Sequence, residues 1–380
     1  MTAAACLVTR LRLYQFRNYA ETTVRFGAGL NVISGSNAQG KTNLLEAVAT
    51  LALTRSPRAV SAADLVQWGR DGCQIEADIQ RPGGVSEIAT RFERVPGDTT
   101  VSRRTTLDGK PRAARAVLGV CPVVLFWPDD LQLVKAGPDG RRRLLDVLLS
   151  QVDSHVAVHL VRYRRVLEQR NALLHSIRVT GGSPASLVGF TRELAHHGSR
   201  IIVARRHLVD ELAPLATAAL NELSSGREQL VLRYLATHGA PANDDDGTER
   251  DLLAALEERA SEELARGMTV IGPHRDDLEF ELDGRPARYT ASQGQQRSIV
   301  LACKIAEMRY LSDAAGMSPV VLLDDVVSEL DEQRRRDLLA TLAATPSQQV
   351  LMTSTERLDH ASMFTAVQHF NVRSGTVTAA

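Results

Sequence analysis

Gly35-Ser36-Asn37-Ala38-Gln39-Gly40-Lys41-Thr42 has the spacing G-x-x-x-x-G-K-T, a string whose residue types suit one task. Glycines at the first and sixth positions let the backbone curl, so that N–H groups from Ser36 through Gln39 turn inward toward an anion. A helix starting directly afterwards adds its partial positive charge. Lys41 then reaches the β- and γ-phosphates of a nucleoside triphosphate, and Thr42 offers its hydroxyl to Mg²⁺. The flanks agree with this reading. Leu30 to Ser34 has strand character, and Leu44, Leu45, Val48, Ala49 and Leu51 recur at helical spacing.

Two further strings could complete a nucleotide-hydrolysing centre. Val320-Val321-Leu322-Leu323 reads as a buried parallel strand and ends in Asp324-Asp325. Asp324 is assigned to the metal and Asp325 to the attacking water. Ala291-Ser292-Gln293-Gly294-Gln295 opens an apolar helix containing Ile299, Val300, Ala302 and Ile305. A serine in that position is an ordinary helix cap. It can equally serve a γ-phosphate through its hydroxyl and the helix N-terminus.

Ser-x-Gly-Gln at a helix start resembles the signature loop of ABC-type ATPases, with Ser328-Glu329-Leu330-Asp331 where those proteins carry their D-loop. The full order resembles the RecF family of bacterial DNA replication and repair proteins, relatives of the SMC-type ATPase heads. It runs Phe16-Arg17-Asn18-Tyr19, the phosphate loop, Gly272-Pro273-His274-Arg275-Asp276-Asp277, the Ser292 string and Leu322 to Asp331. Arg141-Arg142-Arg143-Leu144-Leu145-Asp146 also resembles that family in particular. The resemblance implies ATP and Mg²⁺ as ligands and an ATP-dependent homodimer. Ser292, Gly294 and Gln295 of one protomer would then meet the nucleotide on the phosphate loop of the other. Arg17 would approach bound nucleotide, although a turn arginine facing solvent is the plain alternative. RecR and RecO are the implied partners, with loading of recombinase on gapped DNA and the SOS response as the setting.

These residues need a scaffold, and the chain is long enough for more than one core. The expected fold is an α/β ABC-type (P-loop NTPase) head with a mixed β-sheet and an inserted α-helical lobe. Residues 1–125 form the first half of the head, with strands through Leu107 punctuated by Pro82-Gly83-Gly84, Pro96-Gly97 and Asp108-Gly109. Residues 126–267 form the lobe, where Leu144, Leu148, Val156, Leu160 and Tyr163 change to helical period. Asp244-Asp245-Asp246 reads as a solvated turn within it. Residues 268–380 resume the head at Thr269-Val270-Ile271. SMC proteins insert hundreds of coiled-coil residues here, whereas this insert is short and broken by glycine and proline.

Composition narrows the class. No apolar run approaches a membrane span, and Thr9 and Arg10 interrupt any leader-like core, so the expected location is cytoplasmic. Cys6, Cys73, Cys121 and Cys303 are scattered without a C-x-x-C, and His155 with His159 lacks a zincin glutamate. Formal net charge is zero, yet residues 135–206 hold thirteen Lys/Arg against five Asp/Glu, and residues 243–283 hold four Arg against fourteen Asp/Glu. This asymmetry fits a basic surface for DNA, or simply helices with charged outer faces. The expected function is an ATP-dependent DNA clamp of recombinational repair and replication restart with weak, DNA-dependent ATP hydrolysis. No histidine follows Gln349-Val350-Leu351-Met352, where transporter ATPases place one, and this argues for slow turnover. The alternatives are an ABC transport subunit and an overcoming-lysogenization-type nuclease. The nuclease would need a further acidic domain beyond Asp325.

Overall fold

The computed structural model describes residues 4–95, 100–239, 242, 244–345, 348–355 and 361–380. Its helices are α1 (Lys41–Leu53), α2 (Pro138–Val152), α3 (Ser154–Thr180), α4 (Val188–Ser224), α5 (Asp245–Glu258), α6 (Ala260–Arg266), α7 (Ala287–Thr290), α8 (Gln293–Ala315) and α9 (Glu332–Ala344). Two six-stranded sheets carry the head. One is an antiparallel meander in the order Tyr19–Arg25, Leu7–Phe16, Gly72–Arg81, Gly84–Arg94, Val101–Leu107, Lys110–Arg112. The other is mixed: Val367–Arg373, Leu30–Ser34, Val350–Ser354, Val320–Asp324 and Val123–Phe126 run parallel, and Thr376–Ala379 closes one edge antiparallel.

The central strands are buried along nearly their whole length because both faces of this sheet are covered, and the polar residues Asp324, Thr353 and Ser354 stand at the C-terminal ends. Val32, Val321, Leu323, Val350 and Met352 share a core with α8 and α9. Ile33, Val320, Leu322 and Leu351 on the opposite face share one with α1 and the meander. Alternation along each strand thus separates two cores with one sheet between them.

The lobe is built on α3 and α4, with α5 and α6 against them. At 37 residues, α4 is about 55 Å long and belongs to two cores. Leu194, Ile201 and Ile202 pack in the lobe, whereas Leu208, Leu212, Ala216 and Leu220 pack against the head. A three-stranded antiparallel sheet pairs Leu230–Leu235 with Asp277–Leu282, so the division drawn at 267/268 runs through one sheet.

One local expectation is corrected. The Asp244 to Asp246 triplet starts a helix: Asp244 caps α5 by accepting from the Gly247 N–H at 2.6 Å, and the next two acids occupy its first turn. Pro96-Gly97 lies outside the described residues. Thr269-Val270-Ile271, where the head resumes, is irregular, and tertiary partners take its donors. The Thr269 N–H donates to Asn171 at 2.8 Å and the Val270 N–H to Glu263 at 3.0 Å. That Glu263 is buried against Arg170 at 2.6 Å.

The two arginine- and glycine-containing strings at 141–146 and 272–277 meet. Arg141 binds Asp277 through two bonds of 2.7 and 2.8 Å, and Arg142 donates to the Asp276 carbonyl at 2.7 Å. Arg205 joins Asp146 at 2.7 Å and the Pro273 carbonyl at 2.6 Å. These residues clasp α2 and α4 to the returning head segment. Three arginines of the basic stretch (Arg141, Arg170 and Arg205) are therefore committed to internal ion pairs. The cysteines are free and buried. No helix among the described residues is long and apolar enough to cross a membrane.

Candidate nucleotide-binding site

The phosphate loop leaves the strand Leu30–Ser34 and enters α1, with Ser36, Asn37 and Ala38 exposed at its crest. Left-handed backbone is required at Gly35 (φ 146°) and Gly40 (φ 114°). A β-carbon on Gly40 would meet the Asn18 amide at 2.5 Å, so this glycine also admits a brace. Asn18 Nδ2 donates to the Gln39 carbonyl at 2.8 Å and the Tyr19 hydroxyl to the Gly40 carbonyl at 2.9 Å. From the other side, the Ser374 N–H donates to Gln39 Oε1 at 2.7 Å. The loop is held from both flanks, which fixes the direction of its N–H groups.

Lys41 is buried, and its Nζ donates to the carbonyls of Gly35 at 2.6 Å and Ser36 at 3.0 Å. Burial lowers its pKa, and Asp325 and Asp324 oppose that shift. The ammonium thus stands inside the curl where phosphate oxygens would replace carbonyl partners.

Thr42, at the start of α1, donates its hydroxyl to Asp324 Oδ1 at 2.7 Å, joining two residues 282 positions apart. The strand that leads into α1 and the strand that ends in Asp324 are not neighbours. Val350–Ser354 lies between Leu30–Ser34 and Val320–Asp324, and it supplies Thr353. The Thr353 hydroxyl donates to Asp324 Oδ1 at 2.9 Å and accepts from the Asp325 N–H at 2.9 Å. Burial raises the Asp324 pKa, partly offset by the hydrogen bonds from Thr42 and Thr353. Asp325 takes left-handed backbone at φ 53° and is pinned by its N–H and by the Ser328 hydroxyl on its carbonyl at 2.6 Å. An aspartate tolerates this conformation, which turns its side chain away from the strand line. A hydroxyl and a carboxylate oxygen at this separation are close to the about 2.9 Å edge of an octahedral Mg²⁺ shell, and both are hard donors. Thr42 and Asp324 therefore fit the ion.

Arg17 is engaged elsewhere. Its guanidinium makes two bonds, 2.9 and 2.6 Å, to Glu46, a fully buried carboxylate on α1. Ser56 donates to the same carboxylate at 2.6 Å. Arg17 thereby ties the end of the first strand to the phosphate-loop helix.

Ser292 caps α8: its Oγ accepts from the Gln295 N–H at 3.3 Å, and Gln295 Oε1 accepts from the Ser292 N–H at 2.9 Å. Ser292 is exposed and Gly294 half-buried. A β-carbon on Gly294 would meet Arg334 at 3.1 Å. Arg334, in the first turn of α9, donates to Ser298 Oγ at 2.9 Å, and Asp331 caps α9 by accepting from the Arg334 N–H at 3.0 Å. The Ser292 helix start and the Ser328 to Asp331 loop thus share one surface. Below it, buried Lys304 of α8 reaches Asp130 at 3.5 Å, in the turn after Val123–Phe126. Gln132 ends that same turn. Thr353, Glu46 and Lys304 were not foreseen. A lone Thr at a strand end, or a charge within an apolar helix, gives no local signal of its partner.

The fold is that of an ABC-type ATPase head. The model of the RecF/RecN/SMC N terminal domain matches residues 7–378. An SMC head from Pyrococcus furiosus superposes with a TM-score of 0.55 at 15% identity, covering 99% of this chain and 96% of that one. The RecF-ATP structure from the RecFOR pathway superposes with a TM-score of 0.88 at 29% identity, covering 100% and 99%. RecF from Chloroflexus aurantiacus is 40% identical over 98% of this chain and 99% of its own length. RecF from Anaeromyxobacter sp. (strain K) is 41% identical over 97% and 98%. The chain belongs to the RecF family of DNA replication and repair proteins.

Proposed function

We propose that this chain is an ATP-gated DNA clamp, and the observation that carries it is the Thr42–Asp324 contact of 2.7 Å beside Lys41. A phosphate cradle, an ammonium, a Mg²⁺-suited oxygen pair and a second carboxylate converge there from the phosphate loop, the start of α1 and the end of the strand Val320–Asp324. Lys41, Thr42 and the loop N–H groups of 35–40 bind the triphosphate. Thr42 and Asp324 would hold Mg²⁺, which would neutralise phosphate charge when bound. Asp325, its backbone fixed by Thr353, orients and polarises the attacking water.

The exposed start of α8 at Ser292, Gly294 and Gln295 meets the γ-phosphate held by a second copy of the chain. ATP binding then becomes dimerisation energy, because only the nucleotide-bound surfaces complete each other. The paired lobes of residues 126–267 close on DNA through its phosphates, giving binding that is sequence-independent and steeply salt-dependent. Hydrolysis is slow and DNA-stimulated, and it opens the dimer. Arg17 acts through Glu46 on the position of α1. One similar solved structure is that of a recombination mediator protein of the RecFOR pathway. This likeness supports RecR and RecO as partners, recombinase loading on gapped DNA as the task, and the SOS response as its setting.

The test is DNA binding at several salt concentrations with ATP, ADP and a non-hydrolysable analogue, for wild type and Asp325→Asn. The amide keeps shape but does not polarise water, so Asp325→Asn should prolong the ATP-bound, DNA-binding dimer. Normal hydrolysis by Asp325→Asn, or equal DNA binding with ATP and ADP, would overturn the mechanism.

A further inference from the structure

A cleft of about 820 Å³ opens between the meander and the helical lobe, at the C-terminal end of α1. Among the described residues it is lined by eight arginines and two aspartates, without lysine or glutamate. Both aspartates are already engaged, Asp139 with Arg142 and Asp146 with Arg205. The cationic excess comes from four separate pieces of structure: Arg55 after α1, Arg103 and Arg115 from the meander side, Arg143 from α2, and Arg162 and Arg164 from α3. Arg103 and Arg143 spend one donor each on the carbonyls of Thr54 and Pro57, which fixes their stems and leaves other N–H groups available. Arg164 pairs with the exposed Glu168 at 3.1 Å. The guanidinium groups of Arg55, Arg115 and Arg162 have no hydrogen-bond or ion-pair partner among the described residues. Desolvation, then the neighbouring charges of Arg143 and Arg164, depress the Arg55 pKa against the pull of Asp146. Asp146, already paired with Arg205, offsets these like charges only in part, and an anion would balance the remainder.

We propose that this cleft is a binding site for a nucleotide-sized phosphomonoester, separate from the phosphate loop. Three features define the ligand class. Guanidinium forks match phosphate oxygens bidentately, and at least three here have donors to give. A terminal monoester carries nearly two charges at neutral pH against one for a backbone diester, so an uncompensated arginine cluster favours the monoester. The cavity volume lies in the range of small-ligand pockets and is far too small to enclose a duplex. Helix α1 separates this site from the phosphate loop by its 13 residues, about 20 Å. The two sites are therefore testable one at a time, and the proposal stands whether or not the clamp mechanism does.

The ligand has two possible sources, a phosphorylated strand end or a free sugar phosphate. The experiment titrates a dye-labelled tetranucleotide, with and without a 5′-phosphate, into the full chain by fluorescence anisotropy, with ribose 5-phosphate as competitor. The phosphorylated form should bind roughly ten-fold tighter or more, the value of one charge-assisted contact pair. Arg55→Gln and, separately, the exposed Arg115→Gln should reduce that preference to within about two-fold, while ATP affinity is unchanged. Lys41→Ala should retain the preference, because the phosphate loop is not the site. Displacement by ribose 5-phosphate at comparable concentration would assign a free metabolite, and its failure to compete would assign a strand end. Equal binding of the two tetranucleotides, a preference that survives both arginine substitutions, or its loss in Lys41→Ala would each overturn the proposal.

Discussion

At the scale of single residues, the centre depends on small side chains that connect larger ones. Thr353 is the clearest example, because one hydroxyl donates to Asp324 and accepts from the Asp325 N–H. Thr353→Val keeps the shape but leaves the Asp325 N–H without its acceptor and Asp324 with one donor fewer. Leaving a buried group unpaired costs about 1–3 kcal/mol, so the denaturant midpoint should fall by that equivalent. ATP hydrolysis should fall more than ATP binding, since Lys41 and the loop remain in place. A variant with unchanged stability and turnover would mean that the hydroxyl is incidental. Lys41→Ala should weaken ATP binding by roughly ten- to hundred-fold, the worth of a charge-assisted hydrogen bond, as read by fluorescent-nucleotide titration. Lys41→Arg should retain part of the affinity but lose turnover, because a planar guanidinium does not replace a compact ammonium within the curl.

At the scale of elements, helix α8 joins the Ser292 surface to the interior through a buried charge group. Lys304, Asp130 and Glu307 lie together there, and Glu307 Oε1 is 3.0 Å from the ammonium yet accepts no well-aligned hydrogen bond. Burial pushes the Glu307 pKa up to about 7, against the pull of Lys304. The folded state therefore holds this proton to higher pH than the unfolded chain does. Its contribution to stability is complete below the ordinary value of 4.5 and is lost as pH rises through about 7. Glu307→Gln stays neutral throughout, so its melting temperature should decline less than that of wild type between pH 5 and pH 8. Parallel declines would show that Glu307 is ionised across the range. The elements also show what the chain made legible. The phosphate loop and the Asp-Asp strand were readable because their chemistry sits within eight and six consecutive residues. Thr353 was not, because only the strand order sets it beside Asp324. The misread at Asp244 is different in kind, since an acid followed by two more is itself a helix-start signal.

At the scale of the whole molecule, the decisive question is whether the exposed start of α8 is half of a composite site. If Ser292 only caps the helix, Ser292→Arg removes one capping bond and costs about 1 kcal/mol. Nucleotide binding, dimerisation and DNA binding would then all persist. If Ser292 meets the γ-phosphate on a second copy, the arginine fills that space and prevents the two heads from closing. The phosphate loop lies on other elements, braced by Asn18, Tyr19 and Ser374, so each monomer should still bind ATP within a few-fold of wild type. Sedimentation with ATP should then give a monomer, and ATP-dependent DNA binding should vanish with the dimer. The Asp331–Arg334–Ser298 contacts give this test its control. They fix the same surface but involve no residue assigned to the nucleotide, so Ser298→Ala should lower stability modestly and leave dimerisation intact. A Ser292→Arg chain that still dimerises with ATP and still binds DNA would exclude the composite site and leave Ser292 as a helix cap.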